Sequence, residues 1–362
     1  MGFAVSDWLE GTDVGHALRQ VKAAGKPVIG LRLRNADCAN LDLSGMILSE
    51  VTLENISFQG SKFQGSTFTS STIKDVNFDK ATLDEVKFYK VALTNCSMIE
   101  VHARRISLAY CTLEGLDAKL AQFIEAKFVN TSFKKVSLVQ ANLNTAAMVQ
   151  TEHDHTDFSH ALLMQTTLFK LDLRTCIFDG VKGPKVVLGS SDLSGVNLDG
   201  VNMPMAQCSG TSFKKASLKK ANFSGANFVD ARFDDGLLLE SNFSRAAFLR
   251  VNLTGAQLDK SNLQSARFAH CKCSRSSFKM VQAQKSLWHH SALNFANMNG
   301  ANLDGADLIG ADLSDADLRG ASMHSAKLDR TEQKGSRIDN SARSTFMPEN
   351  KAYADFIMEN EY

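Results

Sequence analysis

Metal ligation is the first chemistry to test in a chain with seven cysteines and nine histidines. The densest group of such donors is His270, Cys271, Cys273, His289 and His290. Paired-cysteine zinc sites separate their thiolates by two or more residues, so Cys271-Lys272-Cys273 already fits poorly. A second group is acidic, with five aspartates and one arginine in residues 304–319. The patterns Gly-x-x-x-x-Gly-Lys-Ser/Thr, His-Glu-x-x-His and Gly-x-Ser-x-Gly do not occur, which leaves no signature for phosphate cradling, zinc hydrolysis or a serine nucleophile. Whether the remaining donors converge depends on the elements that carry them.

Those elements are set by a period of five. In residues 297–328, Ala301, Ala306, Ala311, Ala316, Ala321 and Ala326 are each followed two places on by Leu303, Leu308, Leu313, Leu318, Met323 or Leu328. An α-helix repeats at 3.6 residues and a strand at 2, so neither alone has this period. Call the large residue i. Positions i−2 and i face one way on a short extended side, i−1 faces the other, and i+1 and i+2 turn the chain. Four such sides close a coil of twenty residues, and stacked coils share backbone hydrogen bonds.

The run NLDGADLIGADLSDADL resembles the pentapeptide repeat proteins, and that resemblance implies a right-handed quadrilateral β-helix, an all-β solenoid. The frame runs from Leu33 to Ile338 without an insertion, which makes 62 repeats; 52 of the i residues are Leu, Phe, Met or Ile, and 54 of the i−2 residues are Ala, Val, Ser, Thr or Cys. At four repeats per coil and a strand spacing of about 4.8 Å, this is a rod roughly 70 Å long. Three segments follow: 1–30 as an N-terminal cap or partner-binding arm, 31–338 as the β-helix, and 339–362 as a C-terminal cap or docking helix. In the first, Asp13 is expected to cap a helix that carries Val14, Leu18 and Val21 on one face and stops at Gly25 and Pro27. In the last, Pro348 can start a helix that sets Ala352 beside Phe356 and Tyr353 beside Ile357. Gly183-Pro184 reads as a weakened coil within one rod, because the frame passes through it.

The frame disposes of most candidate chemistry. All seven cysteines fall at i or i−2, so each is expected inside as a small apolar side chain in a reducing compartment. His153 takes a core slot as a neutral, hydrogen-bonded imidazole. Asp307, Asp312 and Asp317 stand at i−1, outward, as solvated surface that hydrogen-bonds local backbone. Catalytic, cofactor and metal residues are therefore assigned to no position, and the chain is read as a non-enzyme.

Interaction is the better prospect. Residues twenty apart stack on one edge, and one i+1 column carries Tyr89, Val129, Val149, Phe169, Val229, Leu249 and Ile309, an outward apolar strip suited to a protein partner, either another protein or a second copy. The matching column on the next side reads Arg34, Glu54, Lys74, Thr94, Glu114, Lys134, Asp154, Arg174 and is solvated. Further contacts are Trp288, whose slot looks too small for an indole without local distortion, and Phe356 and Ile357. The resemblance implies a bacterial interaction scaffold, with secretion-system effector or accessory roles among its members. The alternative it implies is mimicry of duplex DNA to bind a type II topoisomerase such as gyrase. A duplex carries about one negative charge per 1.7 Å, whereas this chain has 40 basic and 39 acidic side chains. That balance speaks against whole-rod mimicry and against direct nucleic-acid binding. No apolar run is long enough to insert in a membrane and no secretion signal is readable, so synthesis in the cytoplasm is expected.

Overall fold

In the computed structural model, residues 8–339 are described, and the chain divides into two compact units after Val187. Phe356, Ile357 and the helix expected near Pro348 lie outside the described residues.

The first unit opens with β1 (Trp8–Glu10), α1 (Thr12–Ala24), β2 (Val28–Ile29) and β3 (Arg32–Asp37). The helix buries Val14 and Leu18 and ends where Gly25 turns left-handed, its N–H donating to the Lys22 carbonyl. Its N-cap is Gly11 rather than Asp13, with no capping side chain. Gly11 reaches φ 63° and ψ −139°, a conformation open to glycine, and so the helix begins one residue ahead of Asp13. β1 lies parallel to β3, pairing Trp8 with Arg32 and Leu9 with Leu33. The N-terminal residues thus join the first coil as well as cover it.

Beyond these, three-residue strands recur every twenty residues in two parallel eight-stranded sheets, one ending at Glu152–Asp154 and the other at Thr167–Phe169. Isolated bridges such as Asp42↔Lys62 and Ser57↔Asn77 make the other two sides in the same register. The pattern follows from the backbone. The N–H at i donates forward (Leu43 to Lys62 O, 2.7 Å) and the N–H at i−1 donates backward (Lys62 to Leu41 O, 2.8 Å). At the corner, i+2 adopts φ between 47° and 74° in residue after residue, glycine or not. Such a corner costs roughly 1–2 kcal/mol for an L-residue. The i+2 N–H helps offset this by joining the ladder, as Glu50 does to Thr69 O at 2.8 Å.

The second unit repeats the scheme through bridges from Asp192↔Ser212 to Asp317↔Arg337, with one strand pair, Ala247–Leu249 and Arg267–Ala269. Inside, aromatic i residues stack coil on coil: Phe228–Phe248 at 5.0 Å, Phe248–Phe268 at 4.5 Å and Phe268–Trp288 at 4.0 Å between centroids. Trp288 is therefore a core residue, fully buried, and the expected bulge is corrected. Its coil gains room from Cys273 and Ala283 at two of the other i positions, and its indole N–H donates to Ser286 Oγ at 2.7 Å. All seven cysteines are buried, free thiols. Burial pushes the Cys176 thiol up to about 12.

His153 lies on the last strand of its sheet, stacked on Phe133 at 4.8 Å. Its two ring nitrogens meet Thr151 Oγ1 (3.0 Å) and Thr156 Oγ1 (3.2 Å). Burial lowers its pKa to about 4, below the ordinary value near 6.5. The neutral ring is thus favoured by folding, so its contribution is complete above pH 6.5 and lost as pH falls through 4. Linkage puts the total at about 3 kcal/mol. Hydrogen exchange across residues 131–158 is expected to accelerate between pH 6.5 and 4 beyond the intrinsic trend, and His153→Phe should remove that excess.

Candidate protein-interaction surface

The twenty-residue register builds the surface. In the first unit Tyr89 pairs with Ala109, Ala109 with Val129, Val129 with Val149 and Val149 with Phe169, each one coil from the last. Because i+1 leads into the corner, its side chain leaves the interior. Tyr89, Val149 and Phe169 are 42–44 % exposed, while Val129 is half-buried. Tyr110, at i+2 on the same corner, is 55 % exposed and meets Tyr89 edge-on at 5.7 Å. Lys90 and Lys170 place ammonium groups 5.3 Å from the rings of Tyr89 and Phe169. The result is an aromatic and aliphatic strip edged with cations, a combination suited to burying apolar area against a partner with acidic groups.

Tyr110 escaped the sequence reading because only the i+1 column was followed; its place at i+2, one coil from Lys90, was the available signal. The column read as solvated pairs its charges along the stack, Lys74 with Glu54 at 3.4 Å and Lys134 with Glu114 at 2.7 Å. In the second unit the same i+1 column behaves differently. Val229 and Leu249 are half-buried and do not make an exposed strip. Ile309 is only 7 % exposed, which corrects its assignment as outward surface.

Candidate chemistry is equally well resolved. Among the described residues no three His, Cys, Asp or Glu side chains converge to hold a metal ion, and no helix is long and apolar enough to cross a membrane. His270 and His290 stack face to face at 5.3 Å. Within residues 304–319 the carboxylates mostly serve the backbone: Asp312 and Asp317 accept the N–H two residues on, from Ser314 and Arg319. Asp317 is also clasped by the Arg319 guanidinium, which holds its pKa at about 2. Asp307 departs from its expected solvation. It is buried, with His289 Nε2 at 3.4 Å and Lys327 Nζ at 3.7 Å.

Family models described as pentapeptide repeats match residues 30–65, 191–228, 226–264 and 293–331, and a further one matches residues 48–92. No curated protein sequence matches the chain. Among solved structures, the chain is similar to a trypsin-treated form of QnrB1, a plasmid-mediated fluoroquinolone resistance protein. The two are 19 % identical over 51 % of this chain and 83 % of that one, with a TM-score of 0.27. It is also similar to HetL from the cyanobacterium Nostoc sp. strain PCC 7120, a protein involved in heterocyst differentiation regulation. Here identity is 20 % over 85 % of this chain and 98 % of HetL, with a TM-score of 0.18.

Proposed function

Because the chain belongs to the pentapeptide repeat proteins, we propose that it acts without catalysis, as a rigid surface that holds another protein along the apolar corner of its first unit. The observation that carries this reading is the strip itself. Tyr89, Tyr110, Val149 and Phe169 are all exposed on one corner, where a polar side chain would satisfy the fold equally well. Large aromatic side chains fixed on a stiff backbone lose little entropy on binding, which suits them to anchor an interface.

The occupant is a protein, either a second copy or a different chain. Secretion-system effector or accessory work falls within this reading and is decided by the partner's identity. Topoisomerase binding through DNA mimicry is less well supported, since Asp307 and Asp317 are paired with cations and the net charge is +1.

The test compares the full chain with its Tyr89→Asp, Phe169→Asp variant in affinity capture from the native host and in sedimentation at several concentrations. Both sites are exposed, so folding is expected to survive. Loss of two anchors should weaken the contact by at least about 2 kcal/mol, roughly thirtyfold. A partner retained equally by both proteins, with self-association unchanged, would show the strip to be ordinary surface.

A further inference from the structure

Ile309 stands at a position that ought to be open. Among the described residues no other apolar side chain at i+1 is buried; the rest are half-buried or exposed, up to Phe169 at 44 %. Ile309 is 7 % exposed, and Asp307, outward at the centre of the adjoining side, is 7 % exposed as well. Its flanking Gly310 and Gly305 carry no side chain to cover it. The neighbours along its column, His289 and Asp329, are polar. His289 is itself turned toward Asp307, with only 15 % of its side chain exposed. Something lies over this corner of the second unit.

We infer that residues 340–362 of the same chain cover it, as a strap across the side that carries Asp307 and the corner that carries Ile309. Three observations select this occupant. The chain leaves the last coil at Asp339, whose carboxylate accepts the Gly320 N–H at 2.6 Å. Continuing at the coil's own pace it would come level with Lys327 at Met347 and with Asp329 at Glu349, which leaves thirteen residues to lie across a patch a few residues wide. The segment also brings matching apolar side chains, Phe346, Met347, Tyr353, Phe356, Ile357 and Met358. Its charge is complementary too. It carries four acidic side chains against two basic, and the patch is rimmed by Arg267, His270, His290, Lys327 and Arg330. This strap is independent of the partner-binding reading, which concerns the first unit.

Thiol labelling tests it in the full chain, because the seven native cysteines are buried and give little background. Ile309→Cys is expected to react with a maleimide at least about tenfold more slowly than Leu249→Cys, and deletion of residues 340–362 should abolish most of the difference. Rapid labelling of Ile309→Cys in the full chain overturns the strap. So does slow labelling that survives the deletion, which would mean that local side chains do the covering. Protection that grows with protein concentration assigns the patch to a second copy and overturns it as well. A measurement without substitution guards against misfolding: carbethoxylation of His289 should rise on deletion while that of exposed His270 stays constant, and an unchanged His289 counts against the strap.

Discussion

Phe268→Ala is expected to destabilise the second unit by about 3–5 kcal/mol, the usual range for deleting a buried ring. Phe268 lies between Phe248 at 4.5 Å and Trp288 at 4.0 Å, nearly parallel to both, with interplanar angles of 6° and 3°. Removing it strips stacking contact from two rings at once. The cavity also has no easy way to close, because the coils above and below are pinned by backbone bonds such as Phe268 N–H to Leu287 O at 2.6 Å. With Trp8 replaced by phenylalanine, Trp288 becomes the sole tryptophan and reports the urea midpoint directly. Phe268→Leu fills part of the space and should recover a substantial share of the loss. A midpoint for Phe268→Ala equal to that of the parent would mean that the column contributes little.

Asn222→Pro should cost about 3 kcal/mol or more through the backbone. The Asn222 N–H donates to Val201 O at 2.8 Å in the ladder, and a proline has no N–H to give. The side chain sits in an amide ladder, donating to Asn202 Oδ1 at 2.7 Å and accepting from Asn242 Nδ2 at 3.1 Å and from the Ser224 N–H at 3.1 Å. Asn222→Ala removes only these side-chain bonds, at about 1 kcal/mol because the site faces water. Hydrogen exchange over residues 201–245 separates the two effects. The proline variant should open locally, and protection equal to that of the alanine variant would show that the ladder bond is dispensable.

The fivefold period was enough to read which side chains enter the core, because i−2 and i are fixed by strand geometry whatever their identity. Leu253, Leu258 and Leu263 are all fully buried as the frame requires. Trp288 was misjudged because its slot was weighed alone. Four i residues share one coil's interior, and Cys273 and Ala283 release the volume that the indole takes. The strip was legible as a column, but exposure was not, since it depends on what lies over a corner rather than on the corner itself. Tyr89 and Phe169 are open and Ile309 is covered, though all three hold the same place in the repeat. Asp13 misled for a different reason. Its propensity for capping was outweighed by a glycine two residues earlier that could take the required φ.

The separation between an interior read in fives and a surface read in twenties bears on how such a chain can change by gain or loss of sequence. Within either unit, deleting one repeat would leave every interior slot filled, yet it would carry each later outward column a quarter-turn around the axis and break up any surface assembled from them. Duplicating four repeats would restore every column to its original side, one coil further along. Core integrity therefore tolerates changes by five, whereas a contact surface that spans several coils survives only changes by twenty.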